Sequence, residues 1–577
     1  MPKIKPKKRL IFSRNWRIHA LFLLFLILAA GLVVRLYSLQ IINGDYYSAL
    51  ALGQQGNYDE FIPHRGEIYL QDNAGADRFL IATTREMPMV YAVPREIETG
   101  FERDVLNALD NIVDIDDKET ETLLRRLENK DSTYTALARQ LTEEQAARVK
   151  ELAIDGIYIR GEQVRFYPAG NFASHLLGFV GFTGDAKEGQ YGVEGYYNSL
   201  LAGKVSENDL LNTFFAVPDN EPILQEGATI ELTIDYGVQF AVEKKLYELM
   251  DKLDADGASA IFMDPKTGEI IAMASLPSFD PNTYNEAQNA GLFLNDNTQA
   301  VFEPGSIFKP ITLAAAIDAG AVSPQTTYTD EGHVRIGSYT IANFDGRSNG
   351  VQTMTQVLEK SLNTGAIFAQ QELGKKKFRE YLEAFQLDSI TGVDLSGEAT
   401  NNIDNIKNTS RDINFATASF GQGIAFTPLR LLTSFSAIAN DGIIMRPYIV
   451  SSIRQDGQEV KTEPKEMAAP ISARTASRLV SMLTSVIENG FDRKAVVPGY
   501  NIAGKTGTAQ VPNADGPGYS DKTIHSFVGF APSFNPRFIG IIKVENPHGI
   551  RFAADSLSPA FRELASFILQ YYKIPPQ

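Results

Sequence analysis

No cysteine occurs anywhere in the 577 residues, which excludes disulfides, thiol nucleophiles and cysteine-based zinc sites and fits life outside the cytoplasm. Histidine is scarce too. The six present, His19, His64, His175, His333, His525 and His548, form no HExxH and no ligand spacing, so no metal site is expected. Positive charge is in deficit, with 54 Lys and Arg against 70 Asp and Glu and a net charge of −16. Phosphate binding is driven by Lys and Arg, so nucleic acid is not expected as a partner. The acidic Asp114-Ile115-Asp116-Asp117 lacks the glycine an EF-hand loop needs and reads as a solvated face. What is present is folded globular material, 44% hydrophobic and 21% charged, in a length that calls for two or more domains.

Residues 1–17 carry Lys3, Lys5, Lys7, Lys8, Arg9, Arg14 and Arg17 without an acid, and Ile18 to Val34 then runs uncharged. Extended past Arg35, the run is long enough to cross a bilayer. The basic flank puts the N-terminus in the cytoplasm and the remainder outside. Ala29-Ala30-Gly31 could pass for a signal-peptide cleavage site, but the apolar run exceeds the usual core of such a peptide. An uncleaved single-pass anchor in the plasma (inner) membrane is therefore expected, contacting membrane lipid. No second span follows. The expected plan is a basic tail at 1–17, an anchor at 18–40, an N-terminal pedestal at 41–225 and a second domain at 226–577.

The pedestal mixes short strand-like runs with charged helical segments. Thr142-Glu143-Glu144-Gln145 offers a capping box before the stripe of Ala146, Val149, Leu152 and Ala153. Near Glu226-Gly227 the texture changes. Ala228 to Asp235 alternates like a strand, Tyr236 to Leu253 is an amphipathic helix, and two apolar strands flank the turn Asp264-Pro265-Lys266-Thr267-Gly268. A mostly helical stretch follows to about Ile438. Ile502 to Gln510, Phe527 to Pro532 and Phe538 to Val544 read as closing strands, and Pro559 to Tyr572 as a helix. Residues 511–523, polar around Gly516-Pro517-Gly518, read as a mobile flap between two of those strands. Strands from both ends with helices inserted between them give an α+β fold, an antiparallel sheet flanked by helices.

Chemistry enters at Glu303-Pro304-Gly305-Ser306-Ile307-Phe308-Lys309-Pro310. Positions i and i+3 share a helix face, so the Ser306 hydroxyl and the Lys309 amine can meet. Pro310 is tolerated only in a first turn, which places Ser306 at a helix start among unpaired N–H groups. Ser-x-x-Lys occurs once. Two further motifs stand downstream, Ser361-Leu362-Asn363 and Lys505-Thr506-Gly507-Thr508. Ser-x-Asn also appears at Ser206-Glu207-Asn208 and Ser533-Phe534-Asn535, and Lys-Thr-Gly at Lys266-Thr267-Gly268. The order Ser-x-x-Lys, Ser-x-Asn, Lys-Thr-Gly selects Ser361 and Lys505, and it is the motif set of penicillin-binding proteins and class A β-lactamases. Glycine inside a strand, as at Gly507, signals close approach of a ligand or of another backbone.

Each residue type has a chemical reason. Serine needs a base, and Lys309 serves only if neutral; burial and a neighbouring cation, Lys505, would make it so. Ser361 can pass a proton to a leaving amine, and the Asn363 amide can hold Lys309 and bond a substrate carbonyl. The backbone N–H groups of Ser306 and Thr508 would form an oxyanion hole. Lys505 with the Thr506 and Thr508 hydroxyls would receive a substrate carboxylate.

With these motifs the chain resembles a class B penicillin-binding protein, a monofunctional peptidoglycan D,D-transpeptidase, over nearly its whole length. Arg65-Gly66-Glu67-Ile68, Arg165-Phe166-Tyr167-Pro168, His175-Leu176-Leu177-Gly178-Phe179 and Gly192-Val193-Glu194-Gly195 look like the signature boxes of that family's N-terminal module. Where the family has Asp-Arg-Asn-Gly after the first box, Leu70-Gln71-Asp72-Asn73 stands here. The resemblance implies the penicillin-binding-protein and β-lactamase-like fold on an elongated pedestal. It also implies cross-linking of stem peptides through a Ser306 acyl-enzyme with release of D-Ala, acylation by β-lactams and no cofactor. A SEDS-type glycan polymerase in the membrane is the implied partner, and the division type of the family is slightly nearer. The rivals are a membrane-bound β-lactamase-like hydrolase, which the anchor and pedestal oppose, and a D,D-carboxypeptidase, which differs only in using water as acceptor. A non-catalytic β-lactam sensor or cell-wall scaffold is opposed by the complete motif set.

Overall fold

A computed structural model describes residues 63–72, 77–113, 115, 117–183, 186–205, 224–287, 289–407, 410–513, 516 and 518–576, together with 21, 22, 25, 26, 28, 29 and 32. The anchor expected at 18–40 lies almost wholly outside the described residues, as does the Ser206-Glu207-Asn208 copy of the second motif. Among the described residues no helix is long and apolar enough to cross a membrane.

The described residues divide into two compact units. The smaller comprises Arg85–Val164 and the described part of Lys204–Gln225. Its helices Glu102–Asp110, Asp117–Glu128 and Glu143–Glu151 bury Val105, Leu106, Leu109, Leu123, Leu127 and Val149 with Val90 and Leu137. The expected capping box is present: the Gln145 N–H donates to Thr142 Oγ1 at 3.1 Å, and the Thr142 N–H donates to Gln145 Oε1 at 2.9 Å.

The larger unit comprises Arg65–Thr84, Arg165–Gly203 and Glu226–Gln577. It thus takes in two segments that the sequence plan assigns to the pedestal. Strand pairing is the physical reason: Ile68–Asp72 runs parallel to Thr229–Asp235, with Ile68 beside Ile230, and Ile68, Leu70, Ile230 and Leu232 share one core. All four of the signature boxes fall in this unit, and three of them supply a buried ion cluster. Arg65 Nε and Arg165 Nε donate to the two oxygens of Glu194 at 2.7 and 2.6 Å, and Arg165 Nη1 reaches the Gly66 carbonyl at 2.7 Å. Glu194 is fully buried. Burial opposes its ionisation, but the Arg165 and Arg65 guanidiniums outweigh it and hold the carboxyl below the usual range.

The rest of the larger unit is built on one five-stranded antiparallel sheet. Helix α1 (Tyr236–Leu253) leads into strands β1 (Gly257–Met263) and β2 (Ile270–Leu276), both buried along their whole length, as expected of strands covered on two faces. Helices α2 (Lys309–Asp318), α3 (Asn363–Leu373), α4 (Pro428–Ala439) and α5 (Ala473–Asn489) form the inserted block. Strands β3 (Ala503–Pro512), β4 (Tyr519–Ala531) and β5 (Phe538–Glu545) and helix α6 (Ala553–Tyr571) complete it. The order across the sheet is β2-β1-β5-β4-β3, so β3 is outermost. Period-2 alternation splits the strand side chains between two cores. Ala260, Phe262, Phe527 and Ile542 join Val242 and Leu246 of α1 and Phe561 and Leu564 of α6, while Ile261, Val528 and Ile541 join Ile307, Phe308, Ile311, Leu432 and Leu483. Strands β3 and β4 are longer than the sequence suggests. Gln510 pairs with Thr523 and Pro512 with Tyr519, so much of the expected flap is paired hairpin, its residues 514, 515 and 517 lying outside the described ones.

Removing Glu194 would leave two inward-facing guanidiniums uncompensated. Glu194→Ala is expected to destabilise the unit that holds it by about 3–5 kcal/mol, seen as an early transition in urea denaturation of the purified protein. A midpoint equal to that of the unaltered protein would show the cluster to be energetically idle.

Candidate active site

Ser306 lies in a single 3-10 turn, Gly305–Phe308, and Lys309 opens α2 with Pro310 behind it. The Ser–Lys pair therefore spans the junction between the turn and the helix. Gly305 has φ +58°, a left-handed conformation open to glycine without strain, and its N–H donates to the Gly421 carbonyl at 3.0 Å. Glu303, just before the turn, accepts the Gly423 N–H at 3.0 Å and the Tyr519 hydroxyl at 3.0 Å. Burial pushes its carboxyl up. Ser306 itself is half-buried, and Ile307 and Phe308 are sunk in the core.

On its other side the turn rests on β3. A Cβ at Gly507 would stand 2.9 Å from the Pro304 carbonyl oxygen, 3.1 Å from Ile307 Cγ2 and 2.7 Å from Ser526 Oγ. The close approach inferred from a glycine in a strand is thus that of the nucleophile's own backbone. Lys505, Gly507 and Ala509 share this face of the strand, and Thr506 and Thr508 share the other.

Lys309 is fully buried, and its Nζ donates to the Ser361 carbonyl at 2.5 Å and to Ser361 Oγ at 3.2 Å. Burial drives its pKa well below the ordinary lysine value, and the Lys505 charge adds to the effect. Ser361 adopts φ +53°, uncommon for a residue with a side chain, directly after helix Met354–Glu359 and the Lys360 cap. Both of its oxygens accept from the lysine in that conformation. Asn363 does not hold Lys309 as the sequence reading supposes. Its Nδ2 donates to the Ala342 carbonyl at 3.0 Å, because it opens α3 beside the turn that follows Tyr339–Ala342.

Lys505 is 2% exposed; its Nζ donates to the Thr506 carbonyl at 2.9 Å and stands 4.0 Å from Asp492 Oδ2. Burial lowers its pKa, and Asp492 opposes that shift. The Thr506 hydroxyl donates to Asp492 Oδ1 at 2.7 Å and its N–H to Asp492 Oδ2 at 3.1 Å. In this structure its donor proton goes to Asp492, whereas the sequence reading directs it to a substrate carboxylate. Thr508 is exposed, and its Oγ1 accepts the Ala553 N–H at 3.1 Å, leaving the hydroxyl proton free to donate outward. Strand geometry adds a further point. The Thr506 N–H leaves the outer edge of β3, so the Thr508 N–H, two residues on, leaves the same edge.

The two duplicates among the described residues, Lys266-Thr267-Gly268 and Ser533-Phe534-Asn535, meet each other: Lys266 Nζ donates to Asn535 Oδ1 at 2.5 Å. No sequence pattern singles out Asp330 or Asp492. Asp330 is buried and accepts from Thr364 Oγ1 at 2.8 Å and from Asn343 and Asn349 side chains, anchoring the start of α3. Neither acid belongs to a motif; each is defined by partners distant in the chain.

The sequence matches the pattern of the penicillin-binding-protein transpeptidase domain over residues 258–566 and that of the penicillin-binding-protein dimerisation domain over 61–211. Stage V sporulation protein D of Bacillus subtilis is 31% identical, over 96% of this chain and 84% of its own length. Peptidoglycan D,D-transpeptidase FtsI of Buchnera aphidicola is 28% identical, over 100% of this chain and 98% of its own. Among solved structures, penicillin-binding protein 3 of Mycobacterium tuberculosis complexed with aztreonam aligns with a TM-score of 0.68 at 26% identity, covering 89% of this chain and 98% of that one.

The Ser526 hydroxyl can swing away from a new methyl at 507, but the Pro304 carbonyl moves only if the Ser306 turn moves with it. Gly507→Ala is expected to cost about 1–3 kcal/mol of stability and to slow covalent attachment of a fluorescent penicillin roughly tenfold to a hundredfold. Attachment at the unaltered rate would show that this contact does not set the serine.

Proposed function

This chain belongs to the class B penicillin-binding proteins, and from that premise we propose that it cross-links peptidoglycan as a serine D,D-transpeptidase with Ser306 as nucleophile. The observation that carries the reading is the uncharged-poised Lys309, buried on the nucleophile's segment and bonded to Ser361 while Lys505 lies close enough to lower its pKa. Lys309 Nζ takes the Ser306 proton as Oγ attacks the carbonyl between the two terminal D-Ala residues of a stem peptide. The N–H groups of Ser306 and Thr508 hold the tetrahedral oxyanion. Lys505 and the Thr508 hydroxyl hold the terminal carboxylate, with Thr506 and Gly507 shaping the strand between them. The C–N bond then breaks, Ser361 passes a proton to the departing D-Ala amine, and an ester to Ser306 remains. The amine of a neighbouring stem attacks that ester, its proton returns through the same groups, and a cross-link forms with Ser306 restored.

A β-lactam enters by the same first step and stays as the acyl-enzyme. Asn363, whose amide is bonded to the Ala342 carbonyl, would bond a carbonyl of the substrate with its second amide proton. We assign the chain the modular plan of its family: a basic tail at 1–17, a membrane anchor at 18–40, the pedestal and the transpeptidase domain outside the membrane. A SEDS-type polymerase that supplies glycan strands completes the assignment.

Two measurements test this. Ser306→Ala should abolish covalent labelling by fluorescent penicillin, and undiminished labelling would refute the nucleophile. Acylation requires neutral Lys309, so it is present above the lowered Lys309 pKa and lost as pH falls through it. Lys505→Met removes the cation that helps lower that pKa, so the acidic limb of the acylation profile should move to higher pH. A limb that stays in place would contradict the lysine pairing.

A further inference from the structure

Asp492 lies in the segment between α5 and β3, just before the turn Arg493–Ala495, and belongs to none of the three motifs. It is 1% exposed. Its two carboxylate oxygens accept the hydroxyl and the N–H of Thr506 at 2.7 and 3.1 Å, and Oδ2 stands 4.0 Å from Lys505 Nζ. The Asp492 carbonyl accepts the Ala495 N–H at 2.8 Å, closing the turn beneath it.

The two residues before Asp492 fix where it stands. A Cβ at Gly490 would lie 2.7 Å from the Glu359 carbonyl oxygen, so this segment packs directly on the end of the helix that delivers Ser361. Ser485, on the last turns of α5, donates to Glu359 Oε1 at 2.5 Å. Phe491 meets Phe344 edge-on at 5.8 Å, two residues past the Ala342 carbonyl that receives the Asn363 amide. The segment 490–492 therefore touches the surroundings of the second motif with one end and the third motif with the other.

We propose that Asp492 is a positioning residue for acyl transfer: by gripping the outer edge of β3 at Thr506 and standing beside Lys505, it aligns that strand and its cation to receive the terminal carboxylate of the acyl donor. The inference rests on the reading given under Proposed function. An alternative role, a carboxylate that occupies the donor's place and blocks it, is opposed by burial, since a blocking group would sit in the open cleft. Asp492 touches neither the reacting atoms nor the donor; it acts through Thr506 and Lys505. Its loss should therefore fall most heavily on donors that carry a carboxylate, because only they bond directly to the aligned cation.

The test compares acylation rates of the full-length protein by a penicillin and by its methyl ester, which lacks the carboxylate. Asp492→Asn keeps the shape and removes the charge. It is expected to slow the acid roughly tenfold to a hundredfold while changing the ester less than about threefold. Equal slowing of both would mark Asp492 as merely structural and overturn the proposal, as would an unchanged or faster reaction with the acid, the last being the result for a blocking group. If the unaltered protein is not acylated at Ser306 by the acid, the proposed function itself fails. Should Asp492→Asn not recover the near-ultraviolet circular dichroism of the unaltered protein, a second measurement needs no variant: hydrogen exchange at the Thr506 amide. Protection there is expected, and exchange as fast as an open strand edge overturns the grip on β3.

Discussion

Two lysines are buried close together, and much of this molecule's chemistry follows from that. Water would allow both Lys309 and Lys505 to carry charge; at 0% and 2% exposure it is not there to do so. The protein resolves the conflict by giving the two amines different company. Lys505 has the Asp492 carboxylate 4.0 Å away, whereas Lys309 has only the Ser361 carbonyl and hydroxyl. Burial lowers the pKa of both amines, but Asp492 opposes the shift at Lys505 alone, so Lys309 is driven further toward the neutral form. Neighbouring groups of one kind whose pKa values are pushed apart by their surroundings are a recurrent way to run acid and base chemistry at neutral pH.

That division of labour demands tight placement, and the placement is done by backbone more than by side chains. Gly507 lets the Pro304 carbonyl settle against β3, and the Gly305 N–H is bonded to Gly421 on the opposite side. The nucleophile's turn is held between an edge strand and a loop, each contributing main-chain atoms that have no rotamers to sample. Both of the flanking apolar cores pack on the same sheet, so the strand that carries Lys505 is stiff from behind.

The three motifs were legible in the sequence because each is short and local, and their order alone separated Ser361 and Lys505 from the duplicates, two of which bond each other at Lys266 and Asn535. The sheet was legible because β1, β2 and β5 are mostly apolar runs. The rest depends on distance along the chain. Thr506 reads as a substrate ligand until Asp492, on a separate loop, is seen to take its proton. Asn363 reads as a partner of Lys309 until the Ala342 carbonyl appears beside it. Residues 65–84 read as pedestal by position, yet Ile68 pairs with Ile230 in the larger unit. No local pattern encodes such pairings, since each is settled by which apolar faces find one another.

The strand order has a consequence for biosynthesis. Strand β1 is flanked by β2, made immediately after it, and by β5, made only after the whole helical block; Ser306 likewise waits for β3 before its turn has a floor. A nascent chain emerging in order thus exposes the apolar edge of β1 and an unsupported serine segment for most of its synthesis. Non-local closure of this kind is slow and leaves sticky intermediates. The architecture that makes the finished site rigid makes the half-made polypeptide dependent on shelter until the late strands arrive.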